Sequence, residues 1–201
     1  GPMVVRGRPL ARVGSAQALD RADPLVYIKG AFFIGGVIYG DVNDDITNVI
    51  VQSSDGNYVF AGSTGSTGSI LSSQLYVVKI SSTGQHDVLW QKTYDENCMN
   101  SAYSIQKTKD GGYVLAGVKD LQVTSIMPLE ATGDLYVLKI DSNGNLVWQK
   151  TYGGDNLDSG SSIQQTSDGG YIVGGTTQSF VSETNDAYIL KLDSSGNLGT
   201  Y

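Results

Sequence analysis

One fourteen-residue block constrains this chain more than anything else in it. Ser104-Ile105-Gln106-Lys107-Thr108-Lys109-Asp110-Gly111-Gly112-Tyr113-Val114-Leu115-Ala116-Gly117 returns 58 positions later as residues 162–175, ending Asp168-Gly169-Gly170-Tyr171-Ile172-Val173-Gly174-Gly175. An earlier copy spans 49–62 and contains Asp55-Gly56-Asn57-Tyr58. A second block, Leu75-Tyr76-Val77-Val78-Lys79-Ile80, recurs at 135–140 and 187–192. A third, Trp90-Gln91-Lys92-Thr93-Tyr94, recurs at 148–152. The period is 52–60 residues, so the fold must be assembled from tandem copies of one supersecondary unit.

Each copy reads as four short strands. The Ser-Ile-Gln segment is the first, and Asp-Gly-Gly or Asp-Gly-Asn closes a tight hairpin, with glycine supplying the positive φ of a primed turn. Tyr-Val-Leu-Ala-Gly and its equivalents form the second strand. Longer loops at 64–73, 118–133 and 176–185 lead to the Tyr-x-x-Lys strand, rich in β-branched and aromatic residues. Asp141-Ser142-Asn143-Gly144-Asn145 then turns into a fourth strand from Leu146 to Tyr152. No dozen-residue window keeps helical apolar spacing, so helix content should be close to nil. The expected fold is all-β: a β-propeller whose four-stranded blades pack face to face. A sandwich or a solenoid is the alternative. Near-continuous apolar runs in the middle strands suit strands covered on both faces.

Three motifs carry a family resemblance: Asp-Gly-Gly-Tyr-x-x-(Ala/Gly)-Gly, then Tyr-x-x-Lys-(Ile/Leu)-Asp, then Gly-Asn-x-x-Trp-Gln-Lys-Thr-Tyr-Gly-Gly. They resemble the long-repeat propellers of bacterial and archaeal exported or surface proteins, over roughly residues 36–201. The turn from Asp141 to Trp148 also resembles the Asp-box hairpin of sialidase propellers and the tryptophan motif of quinoprotein blades. The resemblance implies architecture rather than activity. A sialidase needs an arginine triad, and this chain has no arginine after Arg21. Members of the resembled family are often exported; the compartment of this chain is not set by its sequence.

Strand counting divides the chain. Gly1-Pro2-Met3 reads as a protease-cleavage scar, and 1–24 as a basic, flexible arm without a secretory signal. Residues 25–201 form the repeat region. Within it, 32–40 align with a lone fourth strand, 46–94 and 100–152 with complete blades, and 159–201 with a three-stranded blade and a stub. Three blades fall short of the four to eight that close a ring. The expectation is a homodimer in which two chains form six blades, each N-terminal strand completing the other's last blade.

Charge narrows the partners. The net charge is −7, and from residue 30 onward eight basic residues face eighteen acidic ones. Such a body repels phosphate backbones, which excludes nucleic acid as a natural partner. No apolar run approaches the roughly 20 residues of a membrane helix. One cysteine and one histidine exclude a disulfide framework and any multi-Cys or multi-His metal centre.

Candidate ligand contacts lie in the acidic inter-blade loops: Asp44 and Asp45, Asp95 and Glu96, Asp155 and Asp158. Converging carboxylates can take calcium, or supply an acid–base pair for glycoside hydrolysis. Yet Asp45, Asn100 and Asp158 share one repeat position, which favours a side-chain bond that stabilises the turn, and no resident cofactor is assigned. Loop 118–133 breaks the repeat and carries Leu121 and Met127, the expected partner contacts. His86 reads as a solvated turn residue. Cys98 has no histidine placed to activate it, and no serine forms a Gly-x-Ser-x-Gly elbow. The recurring tyrosines and tryptophans are read as packing between blades. The functional expectation is a binding module for a glycan or protein without a catalytic set; the alternative is a hydrolase using the inter-blade carboxylates.

Overall fold

The structure, a computed structural model, describes residues 25–26, 39–40, 45–66, 69–83, 87–95, 100–126, 129–180 and 184–199. Two compact units are present, residues 1–45 and 46–201. In the first, Leu25–Val26 (β1) pairs antiparallel with Tyr39–Gly40 (β2). The alignment of 32–40 with a lone fourth strand had not anticipated that pairing; its remaining residues, 32–38, lie outside the described ones.

Three antiparallel sheets follow, each with its strands in sequence order. The first holds β3 (Asp45–Gln52), β4 (Tyr58–Ser66), β5 (Ser69–Ile80) and β6 (Val88–Tyr94). The second holds β7 (Ser101–Lys107), β8 (Tyr113–Ile126), β9 (Leu129–Ile140) and β10 (Leu146–Tyr152). The third has three strands, β11 (Asp158–Gln165), β12 (Tyr171–Thr177) and β13 (Asp186–Leu192). The described residues contain no helix, and so none long and apolar enough to cross a membrane.

The apolar runs explain how the sheets meet. Successive strand side chains point to opposite faces, so a run without polar gaps is stable only when both faces are covered. On β8, Tyr113 and Leu115 join Val59, Ala61 and Val77 in a core between the first and second sheets. Their neighbours Val114 and Ala116 join Leu135, Val137, Ile163, Val173 and Leu190 in a second core, between the second and third sheets. Each fully buried aliphatic side chain contributes about 1.5–3 kcal/mol. The recurring tyrosines Tyr113 and Tyr171 are buried in these two cores, as the packing expectation required.

The Asp-Gly hairpins form, but with a different turn. Gly111 N–H donates to Thr108 O, Thr108 N–H donates to Gly112 O, and only Gly111 takes positive φ (83°). This is a four-residue turn followed by a left-handed glycine rather than a primed two-residue turn, and it repeats at Gly56 and Gly169. The loops expected at 64–73 and 118–133 are instead largely hairpin strand. The β4–β5 ladder continues to Ser66↔Ser69, and β8–β9 to Ile126↔Leu129, through register shifts at Lys119/Gln122 and Val123/Ser125. Val118, Val123 and Ile126 are paired across this ladder, with Leu135, Ala131 and Leu129, so that their main-chain groups need no loop conformation. Between β12 and β13, residues 178–180 and 184–185 lie outside strands, as expected of the third loop.

An ion pair recurs in every copy. The lysine of Tyr-x-x-Lys reaches the turn aspartate: Lys79–Asp55 at 2.7 Å, Lys139–Asp110 at 2.9 Å and Lys191–Asp168 at 2.8 Å. The lysine hydrogen bonds hold the Asp55 and Asp168 carboxyls far below the usual range. For Asp110, burial acts to raise the pKa, but hydrogen bonds from Thr108, Lys139 and the Gly112 N–H outweigh it and hold the pKa at about 2. A carboxyl with depressed folded pKa stabilises the fold above its unfolded pKa, about 4, and loses that contribution as the pH falls through the folded value. The urea midpoint should therefore decline from about pH 4 towards pH 2, and Asp110→Asn should flatten that decline. An unchanged slope in the variant would remove this pair from the acid response.

Candidate functional site

The repeat unit ends its fourth strand in Tyr-Gly, seen as Tyr152-Gly153, but the first sheet ends in Tyr94-Asp95. Asp95 adopts φ 57° and Asp120 φ 56°; they are the two non-glycine residues with positive φ among the described residues. Such backbone costs a non-glycine residue of order 1–3 kcal/mol and persists only where surrounding contacts enforce it. Here the contacts are explicit. Asn100, fully buried, donates from Nδ2 to Asp95 O (3.3 Å), and its Oδ1 accepts from the Asp120 N–H (3.0 Å). One side chain thus bridges both strained residues.

Around the Asp95 carboxylate the second sheet supplies three side chains. The Tyr136 hydroxyl lies 2.5 Å from Oδ2 and 2.7 Å from Gln149 Oε1. Gln149 Nε2 donates to Oδ1 at 3.2 Å. Lys119 Nζ stands 3.2 Å from Oδ2 and 5.4 Å from the centre of the Tyr136 ring. Burial would raise the Asp95 pKa, but the Tyr136 and Lys119 hydrogen bonds and the Lys119 charge together lower it. Burial, reinforced by the Asp95 carboxylate, pushes the Tyr136 hydroxyl up. The result is a fixed anion with its donors already in place. Beside it runs an open groove of about 360 Å³, lined by Lys92, Asp95, Gly144, Asn145, Leu146 and Gln149 among others.

The boundary between the second and third sheets is built differently. Asp158, at the repeat position of Asn100, is fully buried; its Oδ2 accepts from the Gly154 N–H (2.9 Å) and Ser179 Oγ (2.7 Å), and its Oδ1 has no partner. Asp134 lies close by: a Cβ on Gly153 would stand 2.3 Å from Asp158 Oδ2 and 2.7 Å from Asp134 Oδ1. Burial, then the charges of Asp158 and Asp120, raise the Asp134 pKa. Among the described residues, no group of three or more His, Cys, Asp or Glu side chains is arranged to hold a metal ion.

The candidates named from the sequence therefore separate. Asp95 lies in the constrained cluster. Asp158 is a buried turn-stabilising carboxylate, Asp155 is exposed, and Asp45 is half-buried at the start of β3. Leu121 is half-buried within β8 rather than in a loop. Asp44, Glu96 and Met127, and likewise His86 and Cys98, lie outside the described side chains. Lys119, Asp120, Asp134, Tyr136 and Gln149 were not anticipated as site residues. The one available signal was the aspartate at 95 where the repeat has glycine. Protein-family models and curated proteins, searched with the whole chain, give no match.

Proposed function

We propose that the chain is a ligand-binding module built of β-propeller blades, without a catalytic set, whose six-bladed ring is completed by a second copy. The observation that carries the binding reading is the linkage of Asp95 and Asp120 through Asn100. Residues held in strained backbone cluster at functional sites, and this pair sits at the boundary between the first and second sheets and not at the other. The neighbouring groove is open and of mixed polarity, with the carboxylate, amide and ammonium groups of Asp95, Asn145, Gln149 and Lys92 beside the apolar Leu146. That chemistry suits a hydroxyl-rich ligand, a glycan, recognised by charge-assisted hydrogen bonds. A protein segment is the other partner the reading accommodates.

The hydrolase reading draws on the proximity of Asp134 and Asp158 and on the raised Asp134 pKa. It is the weaker one, because Asp158 is fully buried and held by Gly154 and Ser179, where substrate does not reach it. An oligosaccharide panel, titrated with thermal-shift detection and then by calorimetry, tests both readings. Binding sugars should raise Tm without turnover. Asp95→Asn keeps a residue that tolerates the left-handed backbone but removes the charge, and it should weaken affinity about tenfold. Equal binding by the variant, or no binding sugar in the panel, would remove the glycan reading. Turnover abolished by Asp158→Asn would favour the hydrolase.

A further inference from the structure

We propose that the Gln149 amide turns over when ligand binds, so that its Oε1 and Asp95 Oδ1 accept hydrogen bonds from the ligand together, an inference that rests on the binding reading. The ligand group this selects is a pair of neutral donors side by side: the hydroxyls on adjacent carbons of a sugar ring.

The Asp95 cluster is one proton short. Tyr136 has a single hydroxyl hydrogen, and its oxygen lies 2.5 Å from Asp95 Oδ2 and 2.7 Å from Gln149 Oε1. Both neighbours are acceptors, and one proton does not serve two contacts so short. Asp95 has none to lend, because its carboxylate is paired with Lys119 Nζ, 3.2 Å from the same Oδ2. The first sheet shows the pair without this competition: the Tyr76 hydroxyl donates to Gln91 Oε1 at 3.1 Å. In the second sheet the carboxylate of Asp95, standing where the repeat has glycine, draws the proton away.

The surrounding donors and acceptors decide how an amide is turned. With Nε2 towards Asp95 Oδ1, at 3.2 Å, the carboxylate gains a donor, but two oxygens face each other across 2.7 Å. With the amide turned over, Nε2 donates to the Tyr136 oxygen, and the unserved contact becomes Gln149 Oε1 against Asp95 Oδ1. Either position lacks one donor; they differ in where it is needed. Tyr136 is 1% exposed, so nothing from outside reaches the first gap. Asp95 and Gln149 line the groove and Tyr136 does not, so the second gap is open to a ligand. An outside donor therefore stabilises only the turned amide and shifts the side chain to it. A cation fits poorly, since Lys119 already pairs with Asp95 and Lys92 lines the same groove. Two adjacent hydroxyls give one O–H to each oxygen. Tyr136 is then a positioning residue, acting through the amide.

Methyl glycosides with a free vicinal diol, and counterparts lacking one of its hydroxyls, test this on the isotope-labelled full chain by NMR. In the free protein the Gln149 amide protons should show NOEs to the Asp95 methylene, and at saturation to the Tyr136 ring. Loss of either hydroxyl should weaken binding to the wild type about tenfold. Tyr136→Phe should bind diol and deoxy compounds alike, with the amide protons remaining at Asp95. Gln149→Met should erase the same preference, and serves should Tyr136→Phe fail to fold. An amide that stays in place at saturation, or a diol preference that survives both variants, overturns the turnover and leaves the binding reading standing. A wild type that binds no glycoside overturns both. Tighter binding of N-acetylarginine amide than of any glycoside would overturn the neutral donor pair in favour of a cationic protein segment.

Discussion

Replacing Gly117 with alanine is expected to cost the fold about 3 kcal/mol or more, a large part of a typical domain's stability. The new Cβ would lie 1.9 Å from Ser101 O, 2.9 Å from the Ser101 carbonyl carbon and 3.0 Å from Ala102 Cα. All three are backbone atoms, so no rotamer change relieves the clash. β7 would have to move away, and the pairs Ser101↔Val118 and Ala102↔Gly117 would open with it. The same approach is made in each copy, by Gly62 at 1.8 Å from Ile46 O and by Gly175 at 2.0 Å from Ser159 O. Gly111→Ala provides the contrast. Nothing lies within 4 Å of its Cβ position, and only the left-handed backbone (φ 83°) opposes the change, at about 1–2 kcal/mol. Urea denaturation should rank Gly117→Ala well below Gly111→Ala. Equal midpoints would mean that the close strand approach is not what this glycine provides.

That pair of glycines also shows what could be read from the residues and what could not. Both belong to the repeated block, so their importance was visible, but its two physical causes were not. Gly111 serves a turn, whose type depends on the conformation of the preceding residues; a glycine in sequence announces positive φ without saying whether Asp110 shares it. Gly117 serves a close strand approach, which appears only when β7 is laid against β8. The strands themselves were legible because runs such as Tyr113–Val118 have no polar interruption and must be covered on both faces. The extended β8–β9 hairpin was hidden because 118–133 departs from the repeat and its ladder is irregular. The Asp95 cluster was half legible. Its carboxylate could be named from its loop, but Lys119, Tyr136 and Gln149 arrive from the next sheet, 24, 41 and 54 positions along the chain. A repeat alignment assigns Tyr136 and Gln149 to strands and is silent about what they touch.

The other large effect is expected at the joint between sheets. Trp148 on β10 meets Tyr171 of the third sheet edge to face, with centroids 5.7 Å apart, and its ring lies against Gly196, where a Cβ would come within 2.8 Å of it. Four residues on, the Tyr152 hydroxyl donates to the Gly196 carbonyl. The preceding boundary repeats the arrangement: Trp90 Nε1 donates to Ser142 O at 3.2 Å, and the Tyr94 hydroxyl donates to Gly144 O at 2.7 Å. Each fourth strand thus grips the Asp-x-x-Gly-Asn turn of the following sheet. That turn is preformed, because Asp193 Oδ1 accepts from the Ser195 and Asn197 N–H groups (both 2.8 Å). Trp148→Ala should cost about 3 kcal/mol, the low end for a large aromatic because the ring is half-buried. Tyr152→Phe, which leaves the Gly196 carbonyl without its donor, should cost about 1 kcal/mol. The losses should be local as well as large. In a stack where each sheet contacts its neighbours, weakening one joint frees the end unit first, so β11–β13 should lose hydrogen-exchange protection in Trp148→Ala while β3–β6 keep theirs. Uniform loss across all three sheets would show instead that the stack unfolds as one unit and that the tryptophan joint does not divide it.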